Sequence, residues 1–196
     1  MQVLTPAPDV LSPVRTVVKV GGALLGRQGA LERVVPVLRG VAERGDQALI
    51  VPGGGPFADT VRRIDTEMGL SPDTAHWMAI LAMNQYAELL ASLVAGTRLV
   101  EEVSEIATAL AAGELPVLAP HRWLRAADPL PHSWEVTSDS IAAWVAGELR
   151  AERLVLVKAG KVGRRELVDG YFERVLPREL RLVITDAAGC GAELGV

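Results

Sequence analysis

The sequence predicts an α/β protein: a three-layer αβα sandwich built on a mainly parallel central sheet. Three observations carry this. Short β-branched runs alternate along the chain with longer segments of helical periodicity, the pattern of strands joined by crossover helices. The strand runs are almost continuously apolar, as they are when helices cover both faces of a sheet. Hydrophobic residues make up 49% of the 196 residues, enough to fill such a core and too many for a disordered chain.

The elements follow in order. Residues 15–20 (RTVVKV) form a strand that Gly21-Gly22 ends. Residues 31–44 carry apolar side chains at 31, 34, 35, 38 and 41, a helical spacing that Gly45 stops. A second strand, 47–51 (QALIV), is closed by Pro52-Gly53-Gly54-Gly55, and a helix starts near Pro56. Ser71 caps a long apolar helix that begins at Pro72. A short strand at 98–100, a helix through 102–112 and a strand at 116–119 come next. Residues 120–136 hold Pro120, Pro129 and Pro131 without periodicity and read as a long loop. The order closes with a helix over 138–150, strands at 153–157 and 181–184, and a glycine-rich tail. Residues 1–14, with three prolines, read as a flexible arm before a single domain over 15–196.

Composition excludes several classes. Twenty Lys and Arg against twenty-four Asp and Glu leave a net charge of −4, with no global attraction for nucleic acid or an anionic membrane. The single cysteine, Cys190, excludes an intramolecular disulfide or a cysteine-cluster metal site. The start lacks the basic and apolar regions of a secretory signal, so a cytoplasmic protein is expected. The apolar stretch 77–94 approaches the length of a membrane span, but Asn84, Glu88 and Ser92 form a polar ridge along it. It reads as a core helix and an interface for a homo-oligomer, with a dimer as its unit.

Candidate chemistry lies at the strand ends, where parallel sheets bind ligands. Lys19 precedes Gly21-Gly22, and Lys158 precedes Gly160-Lys161. A buried ammonium needs an anion, and adjacent glycines let backbone N–H groups approach that anion. Each lysine alone also reads as a strand-end side chain reaching for water. Two of them with Gly53-Gly54-Gly55 point to a polyphosphate pocket. Arg62 and Arg63 are within reach of an anion or are solvated. Asp139 is either a helix-start residue or the carboxylate that holds two lysines in position. His76, His121 and His132 lack metal-ligand spacing and read as surface or loop residues. Trp123 and Trp134, in the long loop, either stack on an aromatic substrate or cover the core.

These segments together resemble the amino acid kinase superfamily. Lys19-Val20-Gly21-Gly22 is similar to its opening K-x-G-G, and Gly53-Gly54-Gly55-Pro56 to its second glycine loop. Thr137-Ser138-Asp139-Ser140-Ile141-Ala142 is similar to its T-x-D-x-x-A helix start, and 156–162 (LVKAGKV) to the L-K-A-T-K-V segment of uridylate kinases. The resemblance implies that Lys19 and Lys161 bridge the transferring phosphoryl group while Asp139 organises them. Gly21, Gly22, Lys158 and the two catalytic lysines would face ATP, brought with Mg²⁺ and with no dedicated protein metal site. Gly53, Gly54, Gly55, Arg62, Thr137 and Ser138 would face the acceptor. The acceptor-binding part would span about 15–135 and the nucleotide-binding part about 136–196.

Within the superfamily, the segments GGGPFAD, AHWMAILAM and SWEVTSDSI resemble a small branch acting in methanofuran-type cofactor biosynthesis. That resemblance implies an ATP-dependent kinase for a phosphate monoester, aminomethylfuran phosphate. Phosphorylation of UMP or of an amino-acid carboxylate is the alternative within enzymes, and a non-catalytic ligand-binding protein on the same fold is the alternative outside them. Where the family usually continues into a G-V-Y/F…D-P segment, this chain reads RRELVDGYF over 164–172.

Overall fold

Apolar strands and helices alternate in the computed structural model, which describes residues 14–160 and 168–196. Strand β1 (Thr16–Val20) passes through a 3-10 turn at Gly22–Leu24 into α1 (Ala30–Glu43). There follow β2 (Ala48–Pro52), α2 (Gly55–Met68), α3 (Pro72–Leu93), β3 (Thr97–Val100), α4 (Val103–Ala111) and β4 (Leu115–Leu118). The chain then forms α5 (His121–Ala127), α6 (Ser138–Glu148), β5 (Arg153–Lys158), α7 (Phe172–Val175), β6 (Arg181–Asp186) and α8 (Cys190–Leu194). The strands make one sheet in the order β3-β4-β2-β1-β5-β6, and the described pairings are all parallel.

Side-chain alternation along the strands divides the core into two layers. Val17, Leu49, Leu154 and Leu156 face one side, against Ile80 of α3 and Ile141 and Val145 of α6. Val18, Ile50, Val155 and Val157 face the other, against Val34 and Leu38 of α1 and Leu90 of α3. Burying each such side chain contributes about 1.5–3 kcal/mol. Helix α3 feeds both layers, with Ile80 and Met83 in the first and Tyr86 and Leu90 in the second. Its cap is the expected one: the Ser71 hydroxyl accepts the Thr74 N–H at 3.2 Å. Among the described residues no helix is long and apolar enough to cross a membrane.

Three expectations need correction or limits. Residues 120–136 are not all loop, because 121–127 fold into α5. Seven residues are too few to show a helical period. This helix is instead held from outside, by Asn84 Oδ1 accepting the His121 N–H at 3.0 Å and by burial of Leu124. The glycine-rich tail likewise contains α8, whose Leu194 carbonyl accepts from Arg44 at 2.8 Å. Of the expected arm, residues 1–13 lie outside the described residues, and Val14 belongs to the core at 2% exposure.

The topology defines a crevice. From β1 the chain steps to β2 on one side, and it later returns to place β5 on the other. Ligands of parallel sheets bind outside the strand carboxyl ends where the order reverses in this way. Here those ends carry Lys19 and Lys158.

Candidate active site

Lys19 follows Val17 by two residues and Lys158 follows Leu156 by two, so the pleat turns both toward the face that α6 covers. Asp139, in the first turn of α6, meets them there. Lys19 Nζ lies 2.8 Å from Asp139 Oδ1, and Lys158 Nζ donates to Asp139 Oδ2. Lys19 and Asp139 are only 4% and 5% exposed. Burial pushes the Asp139 carboxyl up, but the charges of Lys19 and Lys158 outweigh it and hold the group below the usual carboxylate range. Burial and the neighbouring Lys19 charge push Lys158 below the ordinary lysine value, against the pull of Asp139. Asp139 is thus shared by two ammonium groups, while the Asp169 carboxylate acts on Lys158 as a further negative charge; Lys19 also lines the cavity, where an anion would take its remaining N–H donors. Lys161 lies outside the described residues.

One organising residue escaped the sequence reading. Asp169 accepts five hydrogen bonds: from Thr137 N and Oγ1 at 2.9 and 2.7 Å, from Ser140 N and Oγ at 3.1 and 2.5 Å, and from Tyr171 N at 3.1 Å. It thereby clamps the first turn of α6, whose Thr137 hydroxyl also accepts the Asp139 N–H at 3.4 Å. No local spacing reveals it, since Asp169 is 32 residues from Thr137 along the chain. Asp169→Ala is expected to lower stability by about 1–3 kcal/mol for each buried donor left unpaired. Urea unfolding beside turnover checks this; an unchanged midpoint would show that the clamp is dispensable.

The glycine loops interlock. A Cβ on Gly22 would lie 2.1 Å from the Gly55 nitrogen, and one on Gly53 would lie 2.3 Å from the Gly22 nitrogen. Gly55 also has a φ of +54°, which favours glycine. The two loops thus approach each other more closely than side chains would allow, and Gly22, Gly54 and Gly55 line the cavity.

A cavity of about 830 Å³ opens beside this cluster. Of the expected site residues, Lys19, Gly22, Gly54, Gly55, Arg62, Thr137 and Ser138 line it. Gly21 and Gly53 are not among its lining residues. Gly21 donates its N–H to the Val157 carbonyl at 2.8 Å, while Gly53 abuts Gly22. Lys158 stands behind the cavity, on Asp139. Arg62 is less solvated than a free surface arginine: it pairs with Asp59 at 3.1 Å and lies 4.5 Å over the Trp134 ring. Arg63, by contrast, is an exposed side chain paired with Glu67.

His76 and His132 both line the cavity. Their rings stack at 4.1 Å between centroids. His132 Nδ1 contacts Asp73 at 2.6 Å and Nε2 contacts Asp128 at 2.8 Å. The bond to Asp73 raises its pKa against the effect of burial, with Asp128 helping. Burial and the His132 charge push His76 down to about 4. Among the described residues no group of three or more His, Cys, Asp or Glu side chains is placed to hold a metal ion.

Comparison with known proteins places this geometry. The chain is 28% identical over 159 residues to the [5-(aminomethyl)furan-3-yl]methyl phosphate kinase of Methanocaldococcus jannaschii, covering 81% of this chain and 68% of that one. Its fold matches the uridylate kinase of Archaeoglobus fulgidus with a TM-score of 0.69 at 14% identity, over 93% of this chain and 96% of that one. It matches the UMP kinase of Ureaplasma parvum with a TM-score of 0.68 at 16% identity, over 88% and 89%. The model of the amino acid kinase family matches residues 14–160. The chain is thus a phosphotransferase and belongs to the amino acid kinase family.

Proposed function

We propose that this protein transfers the γ-phosphoryl group of ATP to a phosphate monoester, and that aminomethylfuran phosphate is its acceptor. The observation that carries the reading is the buried Lys19–Asp139–Lys158 cluster beside two interlocked glycine loops, with Lys19 on the cavity wall. The choice of acceptor rests on the kinase from Methanocaldococcus jannaschii, named for that compound.

In this reading an oxygen of the acceptor phosphate forms a bond to the γ-phosphorus. The bond from that phosphorus to the β,γ-bridging oxygen breaks, and ADP leaves with its electron pair. Lys19 offsets the spreading charge of the transferring group, a role the family resemblance also gives to Lys161, while Asp139 fixes the direction of the Lys19 ammonium. Lys158 holds Asp139 from the other side and adds positive potential on the nucleotide side, with Gly21 and Gly22. Gly53, Gly54, Gly55, Arg62, Thr137 and Ser138 shape the acceptor side. Mg²⁺ bound with ATP would supply further charge neutralisation during the transfer.

The test is an acceptor panel of aminomethylfuran phosphate, UMP, aspartate and glutamate with Mg-ATP, scoring phosphorylated product rather than ATP loss. The expected product is the diphosphate of the first compound. Phosphorylation of UMP or of a carboxylate alone would replace the assignment. No product with any acceptor, and no calorimetric heat with Mg-ATP, would favour a binding protein instead.

A further inference from the structure

The cavity is positive at its Lys19 end, and farther along Asp65 shares the lining with Arg62 and His132. At one end Lys19 and the glycine loops meet the first turns of α2 and α6, all of which favour an anion. Helix α2 starts there at Gly55, and Asp65 stands ten residues on, about 15 Å farther along its axis. Asp65 lines the cavity and is aimed by two neutral donors. Its Oδ1 accepts the Leu70 N–H at 3.0 Å, and its Oδ2 accepts the Trp134 Nε1–H at 2.7 Å. Among the described residues it forms no salt bridge. Arg62, one turn earlier, pairs with Asp59 instead, and His132 bonds to Asp73 and Asp128. The carboxylate is therefore oriented and half-buried without a salt-bridge partner among the described residues, and Glu135, next to Trp134 in the chain, also lines the cavity.

Two aromatic rings stand among the aliphatic side chains that line the rest of the cavity. Trp134, held by Asp65 and by Arg62 over its ring, is one wall, and the imidazole of His76 is another. A flat ring carrying a cation fits such a wall, because carboxylate and ring face attract the same positive charge. A neutral pyrimidine would leave the Asp65 charge without a counter-ion.

We propose that Asp65 is the ammonium-recognition residue of the acceptor site, so that the acceptor carries a phosphate at the Lys19 end and a protonated amine at the Asp65 end, with its ring against Trp134 and His76. This rests on the reading of the protein as a phosphate-monoester kinase. It makes Asp65 a specificity determinant remote from the transferred group.

Three acceptors test it: aminomethylfuran phosphate, its N-acetyl derivative and the analogue lacking the aminomethyl group. In the wild-type protein the free amine should raise kcat/KM about 10–100-fold over either neutral analogue, the range expected of one hydrogen bond to a charged group. In Asp65→Asn that preference should collapse to within about twofold, with Glu135→Gln keeping most of it. Equal use of the three acceptors by the wild-type protein overturns the proposal, and this arm needs no variant to fold. A preference that survives in Asp65→Asn also overturns it, because Asp65 would then act only through Leu70 and Trp134. If none of the three is phosphorylated, the kinase reading fails and the subsite is judged by calorimetry of the same ligands. Amine-dependent binding lost in Asp65→Asn supports it, and amine-independent binding or no binding overturns it.

Discussion

Replacing Lys19 by methionine is expected to lower turnover by about 10²–10³-fold, the usual cost of removing one preorganised charge stabiliser from an active site. Folding should change little. Methionine fills the volume of the lysine stem, and Asp139 keeps its bond to Lys158. Removing one of the two cations leaves the buried carboxylate paired with the other, whereas removing the carboxylate strands both cations. Steady-state kinetics beside thermal unfolding checks both halves. Turnover within tenfold of wild type would remove Lys19 from the chemistry, and a large loss of stability would recast it as a core residue.

Asp139→Asn should fail differently, in folding and in catalysis together. It leaves Lys19 and Lys158 facing each other in a buried place without a carboxylate. Breaking a buried ion pair by removing one partner costs about 3–5 kcal/mol. The ammonium groups also lose their common anchor, and a displacement near 1 Å lowers rates by about 10²-fold. The dependence on pH follows from the depressed carboxyl. Asp139 titrates below its ordinary value of 3.8 in the fold, so its stabilisation is complete above that value and is lost as pH falls through the lower folded one. The variant should lack this acid limb of the stability curve. Wild-type stability and rate in Asp139→Asn would mean that the carboxylate is only a helix-start residue. Asp139→Asn and Lys19→Met are therefore separable by whether the unfolding midpoint moves with the rate.

Much of the frame was legible because it is written in local patterns. The continuous apolar runs around Val17, Leu49 and Leu154 mark strands buried on both faces, and Ser71-Pro72 marks the start of α3. Lys19 and Lys158 stand out because a charge beside such a run demands a partner, while Asp139 reads from its spacing either as a helix-start residue or as that partner. Helix α5 was not legible, since it is stabilised by Asn84 and by the burial of Leu124 rather than by its own periodicity. Nor were Asp169, Asp65 and the His76–His132 stack, whose partners are distant along the chain. The glycine loops stand out in the sequence, but their close approach to each other shows only in the fold.

The order of strands and helices, the apolar layers and the identity of the charged strand ends thus follow from the chain itself, because period and composition act over a few residues. Which charges meet, and what faces what across the cavity, was decided only in three dimensions. Pairing energies fall steeply with separation in space, and parallel crossover connections bring together residues that no sequence interval relates.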